Sequence, residues 1–327
     1  MAGNSPKIDI FTHILPEKYL QRLYQVVQKT QYLNEGEGRE RLGNPALSDI
    51  EGRLRAIDEH QGLRQVLTIN IPPIEEVARP GDAVQLACLA NDELAELVAR
   101  YPDHFAAGVA CLPVNDMDAA LKETRRAIEV LKLKGVQVYT SCTGKPLDDP
   151  VFFPLYETMT KYDLPIWLHP TRNGDIPEYR GESHSKYRLF QTLGWPYETS
   201  VAMGRMVFGG VLEKYPGLKI ITHHCGGMVP FFAERLTGFT GESSAGGRQP
   251  IDDFKMFYGD TALSGGTRGL ICGYDFFGAD HIVFGTDMPY GESGRLGRMI
   301  SFIEQWEIPA ADKSRIFEGN ARRLLHL

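Results

Sequence analysis

The stretch KIDIFTHILP, from Lys7 to Pro16, decides how the rest of the chain is interpreted. Its β-branched and aromatic residues predict a short buried strand that Pro16 ends. His13 comes at the carboxyl end of this strand. In a chain that repeats strands and helices, that end lies on the face where barrels of this kind keep their chemistry. A single histidine can also serve only to tie a loop to the backbone, so its meaning depends on the other polar residues of the chain.

Seven further strands are predicted along the chain, nearly all separated by helices. The eight predicted strands are Lys7–Pro16, Arg64–Ile71, Phe105–Leu112, Gly135–Tyr139, Leu164–His169, Leu218–His223, Phe254–Asp260 and His281–Gly285. Over 327 residues, this alternation predicts one (β/α)8 barrel domain spanning residues 1–327, with extra helices at its C-terminal end. A doubly wound open sheet is the competing architecture. It is disfavoured because no G-x-G-x-x-G sequence follows the first strand.

A polar, glycine-containing segment at residues 34–47 follows the first strand and contains Arg39 and Arg41. A long excursion next to the strand that carries His13 predicts a cover over an active site, with an insertion after strand one. The two arginines are candidates for binding a carboxylate. The S-x-x-E sequence from Ser48 to Glu51 predicts that Ser48 caps the next helix.

Composition excludes several classes of protein. The formal net charge is −7, whereas partners such as nucleic acid or an anionic membrane surface require a basic face. No apolar run approaches the roughly 18 residues of a membrane span, and the polar N-terminus lacks the apolar core of a signal peptide. The five cysteines are scattered and form no C-x-x-C pair, which is typical of reduced thiols. The sequence therefore predicts a soluble cytoplasmic protein.

Polar residues recur where the predicted strands end. His169 ends strand five in WLHP, His223 and His224 end strand six in THHCGG, and Asp287 follows strand eight in FGTDMPY. Because a closed barrel brings the carboxyl ends of its strands to one rim, these side chains and His13 are predicted to converge. Imidazoles and a carboxylate suit a divalent transition metal such as zinc or manganese, with zinc our first prediction.

The sequence resembles a known family, the amidohydrolase superfamily. Within it, the resemblance is to the branch of aminocarboxymuconate-semialdehyde and γ-resorcylate decarboxylases. The likeness spans nearly the whole chain, since KIDIFTHILP, PIWLHP, KIITHHCGGMVPF, FYGDTAL, IVFGTDMPYGE and GNARRLL occur in the family's order. The resemblance implies a metal held by His13, His169 and Asp287. It also implies that His224 acts on solvent or substrate, and that the protein is a homodimer.

One residue departs from the family pattern. The family usually carries histidine or glutamate two residues before the strand-one histidine, and here that residue is Phe11. Since residues i and i+2 of a strand face the same way, Phe11 is expected to point toward the site. Three protein donors still remain, a number common in catalytic metal sites.

The reaction that best fits these residues and this resemblance is non-oxidative loss of CO2 from a small aromatic or conjugated carboxylic acid. Either Asp287 or His224 is expected to deliver the proton that the substrate carbon needs. Metal-dependent hydrolysis of a C–C, lactone or amide bond is the first alternative, and a ligand-binding barrel that has lost its metal is the second. Residues predicted to contact the substrate are Phe11, Arg172, Tyr187, Trp195, His223 and Tyr290.

Overall fold

The computed structural model describes residues 5–27, 40, 42–240, 249–291 and 294–327. In this part of the chain, eight strands alternate with helices, so the predicted α/β organisation is confirmed. The strands are β1 Lys7–Ile14, β2 Leu63–Ile69, β3 Phe105–Gly108, β4 Val136–Tyr139, β5 Ile166–His169, β6 Ile220–Thr222, β7 Tyr258–Asp260 and β8 Ile282–Val283.

The helices lie between and after these strands. They are Glu17–Val27, Ile50–Asp58, Ile74–Val77, Pro80–Arg100, Met117–Glu129, Phe153–Tyr162, Leu189–Thr192, Gly194–Phe208, Val211–Lys214, Ala233–Thr240, Pro250–Phe254, Thr267–Phe277, Arg295–Gln305, Ala310–Ser314 and Asn320–Leu325. None of the described helices has the length and apolar character needed to cross a lipid bilayer.

The strands form two parallel sheets rather than one continuous sheet. One sheet has the order β1-β2-β3 and the other has the order β4-β5-β6-β7-β8. Backbone hydrogen bonds also join the two sheets at both edges. Gln137 donates to the carbonyl of Ala110 at 2.9 Å, and Ile10 donates to the carbonyl of Phe284 at 2.8 Å. Within each sheet, every strand pairs with its neighbour in sequence, unlike the reversed strand order of a doubly wound sheet.

Several element boundaries differ from those predicted. Asp49, not Ser48, caps the helix Ile50–Asp58, because its carboxylate accepts a hydrogen bond from the amide of Gly52 at 2.9 Å. After β5 the next helix begins at Leu189, since Tyr187 and Arg188 have a φ of 57° that an α-helix excludes. The seventh strand starts at Tyr258, because the preceding residues 250–254 form a short helix that begins with a proline.

Buried contacts between strands fix the first strand against β5 and against the segment after β8. The Trp167 indole is fully buried and donates a hydrogen bond to the carbonyl of Ile10 at 2.9 Å, which ties β5 to β1. Asp9, on β1, is also fully buried and accepts hydrogen bonds from the amide of Thr286 at 2.9 Å and from its hydroxyl at 2.5 Å. These bonds hold the segment after β8 against the first strand.

Candidate active site

Four predicted site residues lie at the carboxyl ends of the strands. His13 is the penultimate residue of β1, His169 is the last residue of β5, and His223 directly follows β6. Asp287 lies four residues beyond β8. The structure brings the four side chains together: the imidazole centroids of His13 and His169 are 5.1 Å apart, and those of His169 and His223 are 5.3 Å apart.

The hydrogen bonds of His13 define its tautomer. The Thr68 hydroxyl donates to the carbonyl of Thr12 at 2.9 Å and also lies 3.0 Å from Nδ1 of His13. Because the hydroxyl proton of Thr68 already forms the bond to Thr12, the hydroxyl oxygen accepts a hydrogen bond from Nδ1–H of His13. Nε2 of His13 is therefore unprotonated in the neutral ring. This atom is buried, makes no hydrogen bond to the described residues, and lies 3.2 Å from Oδ1 of Asp287.

His169 is held in the same tautomer. Its Nδ1 lies 2.6 Å from the carbonyl oxygen of Pro170, and a carbonyl only accepts, so Nδ1 carries the proton. Burial lowers the pKa of His169 well below its ordinary value, and the nearby His13 and His223 lower it further. Burial likewise lowers the pKa of His13, although the Asp287 carboxylate acts in the opposite direction. Both rings thus favour the neutral form that binds metal.

His223 lies between two carboxylates. Its Nδ1 is hydrogen-bonded to Oδ2 of Asp260, whose Oδ1 accepts from the amides of Cys225 and Ala262, both at 3.1 Å. Its Nε2 lies 3.4 Å from Oδ1 of Asp287. Burial alone would lower the pKa of His223, but Asp260 and Asp287 outweigh it and raise the pKa to about 9.

The Asp287 carboxylate lies beside both His13 and His223, with Oδ1 at 3.2 Å and 3.4 Å from their Nε2 atoms. Its backbone has a φ of 65°, in the left-handed region, and the adjacent Thr286 is bound by Asp9. Burial would raise the pKa of Asp287, but His13 and His223 outweigh burial and hold it well below the usual range. Asp287 is therefore ionised when no cation or substrate is bound.

The donor atoms of these side chains fit a metal ion. Among the described residues, two groups of three have ligand atoms that all lie within 4.8 Å of one another. One group is His13, His169 and His223, and the other is His223, His224 and Asp287. Since Nδ1 of His13 and of His169 is used in outward hydrogen bonds, Nε2 of each is available, as in histidines that bind metal.

A cavity of about 350 Å³ opens onto this cluster, within the size range of small-molecule sites. It is lined by His13, Glu40, Asn44, Asn70, Ile71, His169, Arg188, Phe190, Gln191, Trp195, Asp287 and Tyr290. Trp195 and Tyr290, both predicted substrate contacts, are thus in place. Glu40 and Asn44 come from the predicted cover segment, and Glu40 forms an ion pair with Arg188 at 2.5 Å. Arg39 and Arg41 lie outside the described residues.

The other predicted substrate contacts do not line this cavity in the described part of the chain. Arg172 forms an ion pair with Glu198 at 2.7 Å. Tyr187 is 88% exposed. Phe11 is fully buried beneath the histidines and stacks on His223 with the ring centroids 4.0 Å apart.

His224, the predicted acid or base, stacks between two rings. Its centroid is 3.9 Å from that of His223 and 6.4 Å from that of Trp195. Its Nδ1 is buried and makes no hydrogen bond to the described residues. Burial lowers the pKa of His224 to about 3, helped by the neighbouring His223. The ring is therefore neutral at pH 7.

Sequence reasoning missed the side chains that orient these residues, namely Asp9, Thr68 and Asp260. Asp260 could have been found, since it ends the seventh strand in FYGDTAL and the same strand-end rule applies to it. Asn70 was also missed. It lines the cavity, and neither polar atom of its buried amide has a hydrogen-bond partner among the described residues. Only the fold places it there.

Comparison with known proteins identifies the family of this chain. A family model described as amidohydrolase matches residues 8–327. A γ-resorcylate decarboxylase of Polaromonas sp. strain JS666 is 32% identical over 294 residues, which is 86% of this chain and 89% of that protein. The 2-amino-3-carboxymuconate-6-semialdehyde decarboxylase of Dictyostelium discoideum is 29% identical and covers 99% of this chain and 92% of its own.

A solved structure is similar along the whole chain. It is a dihydroxybenzoic acid decarboxylase from Polaromonas sp. JS666 with bound manganese and the inhibitor 2-nitroresorcinol. The TM-score is 0.80 at 28% sequence identity, covering 99% of this chain and 97% of that one. With the family model matching nearly every residue, the chain belongs to the amidohydrolase family.

Proposed function

We propose that this protein is a metal-dependent, non-oxidative decarboxylase of a small aromatic or conjugated carboxylic acid. The observation that carries the proposal is the convergence of His13, His169 and Asp287 at a cavity large enough for a single aromatic ring. The decarboxylases among its relatives support the same reaction type. Hydrolysis of a C–C, lactone or amide bond remains the alternative activity.

A divalent ion is proposed to be held by His13, His169 and Asp287. Manganese is now preferred to zinc, because the similar Polaromonas structure contains manganese. When bound, such an ion would hold oxygens of the substrate carboxylate or of a neighbouring hydroxyl and draw electron density from the ring. The buried, neutral imidazoles and the ionised carboxylate form a donor set that suits either metal.

The protein residues supply orientation and the proton. Decarboxylation breaks the bond between the ring carbon and the carboxyl carbon, leaves the electron pair on the ring carbon and consumes one proton there. Asp287, which is ionised when no cation or substrate is bound, is proposed to take up one proton from solvent by way of His224 and to pass it to the ring carbon, which leaves Asp287 ionised again. Trp195 and Tyr290 would enclose the planar ring, and Glu40 and Asn44 would exclude water from above. Arg172 and Tyr187 remain predictions from sequence only.

We also propose that the eight strands close into one (β/α)8 barrel domain spanning residues 1–327. The hydrogen bonds that join β3 to β4 and β8 to β1 support closure, because they link the two sheets at both edges. Residues 34–47 are proposed to act as the cover, since Glu40 and Asn44 already line the cavity.

A homodimer is proposed on the basis of an exposed apolar face. The face combines the outer side of the helix Gly194–Phe208 with Met228, Phe232, Arg235 and Leu236, and its exposed aromatic residues are Tyr197, Phe208 and Phe232. Phe231 adjoins this face, since its ring packs against that of Phe232 with the centroids 4.8 Å apart. Contiguous apolar surface of this kind marks interaction sites on soluble domains.

All five cysteines are free thiols, which supports the proposed cytoplasmic location.

The proposal is tested by incubating the manganese-loaded protein with a panel of hydroxybenzoates. We expect CO2 and the decarboxylated phenol in equal amounts, and no release after chelation of the metal. Metal-dependent hydrolysis of a C–C, lactone or amide bond without CO2 release would favour the hydrolase. Undiminished ligand binding by a protein that contains no metal would favour the second alternative, a ligand-binding barrel that has lost its metal.

A further inference from the structure

His223 was predicted from sequence as a substrate contact, but its surroundings resemble those of a metal ligand. The ring is fully buried and does not line the cavity, so the enclosing side chains restrict access to a substrate. One of its nitrogens converges with nitrogens of His13 and His169 to within 4.8 Å. His223 is the one residue common to both groups of converging ligand atoms found in the described part of the chain.

The hydrogen bonds of His223 orient it for this role. Asp260 binds Nδ1 and is itself fixed by the backbone amides of Cys225 and Ala262. Nε2 therefore points away from Asp260 and toward Asp287, at 3.4 Å from Oδ1. A carboxylate that binds the outward nitrogen of a histidine is a common outer partner in metal sites, because it fixes the ring and makes the inner nitrogen a better donor.

Phe11 occupies a position on β1 that offers no donor to the cluster. Its side chain lies against the rings of His13 and His223, with centroid distances of 5.5 Å and 4.0 Å, but it offers no ligand atom. Without a donor at position 11, the β1 side of the cluster contributes one nitrogen only, from His13. The stacked His223 ring covers the apolar face of Phe11 and presents Nε2 toward the same point.

We propose that His223 is a direct ligand of the divalent ion and supplies the donor that Phe11 lacks. Binding of the ion displaces the proton that Nε2 holds before the ion binds. The protein ligand set is then His13, His169, His223 and Asp287. This inference rests on the proposed function for the presence of a metal, but it concerns how the ion is held and not which reaction follows.

The test measures metal binding rather than turnover. Purified apo protein is titrated with Mn2+ and Co2+ by calorimetry, and the visible absorption of the Co2+ form reports its coordination. In the His223→Ala variant we expect the metal Kd to increase by more than about 100-fold, beyond the effect typical of an outer partner. The Co2+ spectrum should also change. The neighbouring His224→Ala variant is the matched control and should keep both the Kd and the spectrum.

A rescue variant separates a lost ligand from a disturbed fold. Adding Phe11→His to His223→Ala places an imidazole beside the vacated space, and we expect most of the affinity to return. A His223→Ala protein with unchanged Kd and an unchanged Co2+ spectrum would overturn the inference even if CO2 release were observed. Conversely, His223-dependent metal binding without any decarboxylation would leave the inference intact and remove the proposed function.

Discussion

Nε2 of His13 lies 3.2 Å from Oδ1 of Asp287, which joins the first strand to the segment beyond the eighth. His13 is buried, Asp287 is only 16% exposed, and the pKa shifts favour a neutral imidazole beside an ionised carboxylate. Taking a carboxylate out of water is costly unless a cation or hydrogen bonds compensate for it. A divalent ion that contacts both groups would supply that compensation, and this is the physical basis of the proposed site.

Replacing His169 by alanine should remove metal and activity together. This histidine ends β5, and its Nδ1 is already used in a hydrogen bond to Pro170, so its free nitrogen faces the cluster. We expect metal affinity to fall more than about 100-fold and CO2 release to become undetectable. Metal content by mass spectrometry and a CO2 assay check both effects. Full activity in this variant would show that the assigned site is wrong.

Replacing His224 by alanine should separate chemistry from metal binding. The ring stacks on Trp195 at the edge of the cluster and is neutral at pH 7 because burial lowers its pKa to about 3. We expect stoichiometric metal with turnover reduced by about 10²–10⁴-fold, the usual contribution of a positioned acid or base. If the metal is lost as well, His224 is a ligand rather than a proton carrier.

The Thr286→Val substitution should disturb Asp287 indirectly. It removes the hydroxyl that donates to Asp9 and leaves that carboxylate with one fewer donor. We expect unfolding to become easier by about 1–3 kcal/mol, the cost of an unsatisfied buried acceptor. Turnover should fall by about 100-fold if Asp287 shifts by an ångström. Thr158→Val, on an exposed helix surface, is the control and should leave turnover unchanged.

Glu75 should make stability depend on pH. Burial raises its pKa from 4.5 to about 8, and Oε1 has no hydrogen-bond partner among the described residues. Between these values the unfolded chain releases a proton that the folded protein keeps, so the free energy of unfolding falls as pH rises. Glutamine does not ionise, so the Glu75→Gln variant does not lose this part of its free energy of unfolding as pH rises. At 1.36 kcal/mol per pKa unit, we expect the variant to gain about 3 kcal/mol at pH 7.

The control for the Glu75 prediction is the same comparison at low pH. Below about pH 4 the carboxyl is protonated in both the folded and the unfolded state, so the two proteins should unfold at nearly the same denaturant concentration. A constant difference between Glu75→Gln and the unsubstituted protein from pH 4 to pH 8 would contradict the assigned cause.

An exposed aromatic residue tests the proposed dimer. Phe231 is 73% exposed beside the apolar face, and a charge placed there should be costly inside an interface. We expect Phe231→Asp to elute as a monomer in size-exclusion chromatography, whereas the unsubstituted protein elutes as a dimer. Val130→Asp, at a comparably exposed position after the helix Met117–Glu129, should leave the dimer intact. Identical elution of both variants would argue against this face.

The strand ends were predictable because the alternation of strands and helices is strong. His13, His169 and Asp287 are far apart in sequence, yet the rule that parallel strands share one carboxyl edge places them together. The roles of His223 and His224 were harder to separate, since adjacent residues differ only in the direction that the backbone gives them. His224 has a φ of 54° in the turn after β6, which no sequence pattern predicted.

Residues that act through other side chains escaped prediction for a physical reason. Asp9 and Asp260 matter because they bind Thr286 and His223, and those contacts exist only once the strands are assembled. Tyr187 illustrates the opposite case. Its aromatic character suggested ring stacking, but the residue is exposed to solvent at a point where the backbone of residues 187 and 188 is left-handed.

The most direct test of the central claim is CO2 release from hydroxybenzoates by manganese-loaded protein, measured beside the same protein after chelation. We expect one CO2 per phenol formed, loss of the activity on chelation, and its recovery when manganese is restored. Unchanged CO2 release without metal would show that the decarboxylase assignment is wrong. So would a metal-loaded protein that hydrolyses a C–C, lactone or amide bond but releases no CO2.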